Sequence, residues 1–206
     1  MKKLVLASLL ALGTTTLLAG CGLIPPVSLG KDPLGLDGKT MTVSLATASS
    51  PNVSTRTAGA GSAQLNATFL DAKEISIPIT PSGIDISMAL KNAQISKCVP
   101  VNQTVAVTIS NFTLALSDGA GPTLRSFNLA IPTVSFNVDT TNGTISGLAV
   151  DALKFQITAV QTVINILTTK PEPNTVNVSG DVTTNPPLPG CDITFTVGET
   201  SGILKF

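Results

Sequence analysis

The sequence predicts an all-β fold, an antiparallel β-sandwich or a closely related barrel. Three observations carry that expectation. From Thr40 onward apolar residues recur at period two, with Thr, Ser and Asn on the alternate phase. Gly, Pro, Asn and Asp interrupt the pattern at short intervals, as turns between strands do. Only residues 153–168 offer a competing helical spacing. Period two with one apolar face marks half-buried antiparallel strands. About a dozen short strands joined by turns build a sandwich or barrel, not a layered α/β domain.

The elements follow in order. Met41, Val43 and Leu45 alternate with Thr and Ser, and Ala63, Leu65, Ala67 and Phe69 do the same. Ile75, Ile77 and Ile79 form a further apolar phase. After Pro81-Ser82-Gly83 come Ile84, Ile86, Met88 and Leu90. Val105, Val107 and Ile109 share one phase, whereas Phe112, Leu114 and Leu116 share the other. That one-residue shift predicts a β-bulge near Ser110-Asn111. Asp118 to Pro122 reads as a turn into Phe127, Leu129 and Ile131. Val134, Phe136 and Val138 follow, and Asn142-Gly143 predicts a two-residue hairpin leading to Ile145. Val176 and Val178, then Ile193, Phe195 and Val197, then Ile203 to Phe206 complete the strands, with 170–175 and 183–190 as Pro-rich loops. Leu153, Ile157, Val160, Ile164 and Leu167 would suit a helix face. Phe155, Ile157 and Ala159 alternate, and the segment is rich in Val, Ile and Thr, which favours a long, bulged strand.

The first twenty residues have the build of an export signal: Lys2 and Lys3, an apolar run from Leu4 to Leu18, then Ala19 and Gly20. The run is shorter than the roughly 20 apolar residues that span a bilayer. Leu18-Ala19-Gly20-Cys21 resembles the lipobox of bacterial lipoproteins. The resemblance covers the leader and first mature residue alone. It implies cleavage before Cys21, a diacylglycerol on its thiol and frequent acylation of the new amine, palmitate included. Several acyl chains give stable anchoring where one is marginal. Gly22 stands where Asp would favour inner-membrane retention, so the resemblance implies the outer membrane. The expected organisation is a signal peptide over 1–20, a lipidated Gly/Pro-rich tether over 21–39, and one β-rich domain over 40–206.

Without Lys2 and Lys3 the chain carries ten basic residues against twelve acidic, which offers no footprint for nucleic acid and no polybasic membrane segment. Charged residues make up only 12%, while Thr and Ser number 28 and 18, so the expected surface is polar without being charged. Once Cys21 is assigned to lipid, Cys98 and Cys191 remain, and an oxidising compartment predicts a disulfide between them. Each lies beside proline, in a loop at a strand end.

The chain contains no histidine, which removes Ser-His-Asp and Cys-His catalysis and histidine metal sites. Ser28-Leu29-Gly30-Lys31 has the letters of a serine–lysine nucleophile but lies in a Gly/Pro-rich stretch with no helix to align the pair. Asp71 and Glu74 read as solvated turn residues. Asp139 to Gly143 lacks the alternating acids of a calcium loop and reads as a hairpin. Gly59-Ala60-Gly61 reads as a turn and not a phosphate cradle. The absence of Trp and Tyr disfavours sugar binding by aromatic stacking. The expectation is a non-catalytic envelope lipoprotein with no cofactor and no metal. It is held to a membrane through lipid on Cys21 and meets an envelope protein partner. The alternative is a β-shell carrying a lipid or other apolar ligand, and an enzyme comes third.

Overall fold

The computed structural model describes residues 24–47, 60–68, 79–98, 102–117, 126–149, 152–168 and 174–206. Two antiparallel sheets pack face to face around one apolar core, so the predicted sandwich is the observed architecture. The leader, Cys21, Gly22, Gly59, Asp71, Glu74, Ile75, Ile77 and the turn at 118–122 lie outside the described residues, as do 170–173.

The first sheet, sheet A, is organised by β11 (Asp192–Lys205). One edge of β11 pairs along its length with β4 (Gly83–Ser96), which in turn carries the short β9 (Lys154–Ile157). The other edge takes two strands in succession, β2 (Thr40–Ser44) at its start and β1 (Val27–Lys31) towards its end. The second sheet, sheet B, repeats the plan around β5 (Thr104–Ser117). One edge of β5 pairs with β10 (Thr175–Asn185), which also holds β3 (Gly61–Thr68). Its other edge takes β7 (Val134–Asp139) and then β6 (Ser126–Ile131), and the two-residue β8 (Ile145–Ser146) pairs with β7. In each sheet a 14-residue strand is thus flanked by a long partner and a broken one.

The alternation predicted from sequence places the core. Ile84, Ile86 and Met88 of β4, Val105, Val107 and Ile109 of β5, and Ile193 and Phe195 of β11 are all buried. Phe136 of sheet B meets Phe195 of sheet A edge to face across the interior, ring centroids 6.1 Å apart. Such a pair adds to the area both rings bury. The outward phase carries hydroxyls that pair across strands: Thr42 with Thr194 at 2.9 Å, Thr108 with Ser135 at 3.1 Å, Ser117 with Thr175 at 2.7 Å.

The bulge is where the phase shift predicted it. Asn111 adopts φ 50°, and its side-chain amide donates to Asp181 Oδ2 at 2.8 Å. The register with β10 skips there, leaving Gly180 opposite the extra residue. A Cβ on Gly180 would stand 3.0 Å from the Ile109 side chain, so the bare backbone is what admits the bulge.

Four expectations are corrected. The tether over 21–39 is not free of the domain, and the domain does not begin at Thr40. β1 pairs with β11, and Leu29, Leu34 and Leu36 are buried. The loop is fixed by Asp32 at φ 49°, whose Oδ1 accepts from Leu36 N–H at 2.8 Å, Asp37 N–H at 3.1 Å and Thr200 Oγ1 at 2.6 Å. Gly and Pro there shape a loop that crosses the core edge, and Leu29, Leu34 and Leu36 supply its burial.

Residues 153–168 are not one strand. β9 ends at Ile157, and α1 (Val160–Thr168) follows. Val160, Val163 and Ile166 fall on one buried helical stripe, and Gln161 donates to Asn165 one turn on at 2.9 Å. Packing of that stripe against β5 and β6 overrides the β preference of Val and Ile. Asn142-Gly143 does not make a two-residue hairpin. Asp139 and Thr144 pair, and Gly143 alone takes a positive φ, so four residues turn the chain. Asp139 Oδ1 and Asn142 Oδ1 cap this loop by accepting from Thr141 and Thr144. Its tip then docks on sheet A, with Ala93 N–H donating to Gly143 C=O at 3.1 Å. Lastly, Ile79 lies in no strand and is 52% exposed.

Candidate functional site

Two places on sheet A gather chemistry, one at each end. The far end holds the sulfur. Cys98, just past β4, and Cys191, just before β11, form a disulfide with Cα atoms 5.1 Å apart. The pairing of Asp192 with Ser96 brings these chain ends side by side, which is why the bridge forms there. Lys97 Nζ reaches Asp192 Oδ2 at 2.7 Å, so an ion pair brackets the bridge. Lys97, followed by the Ser44 hydroxyl, holds the Asp192 carboxyl below its ordinary value. The group is a clip closing the two central strands of sheet A.

The near end is where β1 enters, because Val27 stands opposite Leu204. There the outer faces of β11, β4 and β9 enclose an open groove of 490 Å³. That size falls within the range of small-molecule sites. Register fixes its floor. One outward row runs Ser28, Ile203, Asp85, Gln156 across four strands, and the next runs Lys31, Ser201, Ser87, Lys154. Lys205 closes the end, its Nζ 2.6 Å from Asp85 Oδ2. The second oxygen, Asp85 Oδ1, is buried without a hydrogen-bond partner. Ile203 is 42% exposed in the middle of this polar ground, whereas Phe155, paired with Ile86, is on the inward phase of β9 and packs against the core.

Lys31, Lys154 and Lys205 thus lie on the outward phase of their strands on the same face as Asp85, with Ile203 as the exposed apolar side chain there. Glu199, two residues along β11 from Ser201, is exposed at the margin. The groups present suit recognition by charge and hydrogen bonding. Ser28 lies in this face, but its hydroxyl accepts from Gly30 N–H at 3.1 Å and β1 is a strand, so no helix sets Lys31 over it. Among the described residues, no three Cys, Asp or Glu side chains gather in a group able to hold a metal ion.

No protein family, characterised protein or solved structure matches the chain. The geometry of the site therefore stands by itself.

Of the residues singled out in the sequence, the structure brings Cys98 and Cys191 together, and Cys21 lies outside the described residues. Sequence reasoning missed the cluster of Lys31, Lys154 and Lys205. Each sits on the outward phase of its strand, which is legible locally. Their meeting depends on pairing β1 with β11 and β4 with β9, contacts between distant stretches that no local signal encodes.

Proposed function

We propose that this chain is a lipid-anchored lipoprotein of the bacterial cell envelope, facing its work from the outer membrane, with a non-catalytic structural or protein-interaction role. One observation carries the proposal: Leu18-Ala19-Gly20-Cys21 closes an export signal that begins with Lys2 and Lys3. The clip at Cys98–Cys191 supports an oxidising compartment. A packed interior supports an interaction domain over a carrier. Phe195, Ile193, Leu114 and Val105 are fully buried between the sheets, and the groove described above lies on the outside. The missing histidine and the pairing of Asp85 with Lys205 leave the site suited to binding rather than proton transfer.

Intact-mass analysis of the protein from native membranes tests the anchor, with Cys21 expected as an acylated N-terminus. An unmodified terminus at another residue overturns it. Cross-linking in the intact envelope, followed by solubilisation, is expected to capture the same protein partner reproducibly. A stoichiometric lipid retained in the purified protein would establish the carrier instead, and turnover of an envelope substrate would overturn the non-catalytic role.

A further inference from the structure

We infer that Asn142 is a site of spontaneous deamidation which the fold holds closed, and that its conversion to isoaspartate undocks the 139–144 loop from sheet A. This loop chemistry is independent of the anchor proposed above. Of the twelve asparagines in the chain, only Asn142 precedes glycine. Glycine has no Cβ to shield its amide nitrogen or to restrict its rotation. An Asn-Gly pair therefore closes on itself more readily than an asparagine before a bulkier residue. The Gly143 nitrogen loses its proton and attacks Asn142 Cγ, the bond from Cγ to Nδ2 breaks, and ammonia leaves. Water then opens the cyclic imide at one of its two carbonyls. One opening gives aspartate. The other gives isoaspartate, in which the main chain runs through the former side chain and is one methylene longer.

Both reacting groups are engaged while the loop is docked. Gly143 N–H donates to Asp139 C=O at 2.8 Å, and Gly143 C=O accepts from Ala93 N–H of β4 at 3.1 Å. Asn142 Oδ1 accepts from Thr144 N–H at 2.9 Å, and the Thr144 hydroxyl donates to the same oxygen. Asn142 is exposed, so water reaches it, whereas Gly143 is buried. Closing the imide requires the Gly143 nitrogen to give up Asp139 and the Asn142 side chain to swing off Thr144. Reaction therefore proceeds from an opened loop, and its rate scales with the fraction of time the loop spends open.

The two products differ in what they leave of the docking. Aspartate at 142 keeps the same main chain and an acceptor oxygen for Thr144. Isoaspartate lengthens the chain between fixed points, the pairing of Asp139 with Thr144 and the seat of Gly143 on β4. That seat has no slack: a Cβ on Gly143 would stand 2.8 Å from the Ala93 carbonyl oxygen. The extra methylene thus displaces Gly143 and frees Ala93 N–H, on the flank of β4 beyond the stretch Ile84 to Ser87 that β9 covers. An unpaired strand edge is a place where another strand can add.

Full-length protein purified from membranes is incubated in mildly alkaline buffer, either folded or unfolded in guanidinium, and digested with trypsin. Asn142 lies on the peptide 126–154 together with Asn128 and Asn137, which precede Leu and Val and serve as internal controls. Tandem mass spectrometry locates the change and tells isoaspartate from aspartate. The expected result is conversion of Asn142 alone in the unfolded protein, and conversion at least about tenfold slower in the folded one. Asp139→Ala, which removes the acceptor for Thr141 N–H and loosens the loop, should speed the folded reaction severalfold with circular dichroism unchanged. Amide exchange of the β4 segment around Ala93 should be faster in isoaspartate-bearing protein, while Asn142→Asp exchanges like the parent. Asn142 intact in the unfolded protein would overturn the site. Equal rates folded and unfolded, or a folded rate indifferent to Asp139→Ala, would overturn the gating. Isoaspartate-bearing protein with parent-level exchange at Ala93 would overturn the undocking.

Discussion

Replacing Asp32 by alanine separates a tether from a structural loop. Asp32 Oδ1 accepts three hydrogen bonds, from Leu36 N–H, Asp37 N–H and Thr200 Oγ1. Asp37 is exposed, and water can replace its bond. Leu36 is 0% exposed and Thr200 4%, so the other two donors would be left buried and unpaired. A hydrogen bond to a charged group contributes about 1.5–3 kcal/mol, and losing one side of it leaves the desolvation cost of the other. Alanine at φ 49° adds strain of order 1 kcal/mol. Two such bonds and the strain, less relaxation of the loop, give a loss of about 3–5 kcal/mol. Urea unfolding followed by far-ultraviolet circular dichroism is the assay, since the chain has neither Trp nor Tyr to report by fluorescence. Asp32→Asn keeps an acceptor oxygen and tolerance for positive φ, and should lose less. A double-mutant cycle with Thr200→Val should show coupling above about 0.5 kcal/mol. A loss below about 1 kcal/mol for Asp32→Ala would refute the reasoning and return residues 32–38 to a passive tether.

Three further outcomes follow from the same geometry. Cys98→Ser with Cys191→Ser removes a bridge spanning 93 residues, a loss of roughly 4–5 kcal/mol in the chain-entropy account. The fall in thermal midpoint should match that caused by a reductant in the parent protein. Gly143→Ala places a Cβ 2.8 Å from the Ala93 carbonyl at a residue with φ 72°, so a loss of about 1–3 kcal/mol is expected by urea unfolding. The Asp192 carboxyl is held below its ordinary 3.8, chiefly by Lys97 and then by Ser44. Its contribution is therefore full above the unfolded value and lost as pH falls through the lower folded one. Asp192→Asn should flatten the acid limb of the stability profile below about pH 4 and leave the slope near neutrality unchanged.

Most of the sandwich is legible because β-strands announce themselves locally. The alternation in β4, β5, β7 and β11 names the buried side chains, and the slip of phase at Ser110-Asn111 locates a bulge without any knowledge of its partner. What is not legible depends on distant contacts. Leu29, Leu34 and Leu36 lie among Gly and Pro too dense to suggest a strand, and only β11, about 170 residues later, gives β1 its hydrogen bonds. Helix α1 is ambiguous for another reason. Val, Ile and Thr prefer strands, and it is the stripe Val160, Val163, Ile166 that the core accepts. The disulfide needed only chemistry and compartment, so two cysteines sufficed.

The outer face of sheet B has a chemistry of its own. It turns outward Thr175, Ser179 and Thr183 from β10, Thr108 and Thr113 from β5, and Asn128 and Asn137 from β6 and β7. Among the described residues, charge enters that face at Asp139 and Asp181, near its margin and its bulge. A hydroxyl and amide surface of this kind suits contact with a neighbouring protein by hydrogen bonding, without selection by charge. Thr113→Arg and Asn128→Arg should then abolish capture of the cross-linked partner while circular dichroism stays as in the parent protein. Capture at the parent level in that variant would move the contact off sheet B.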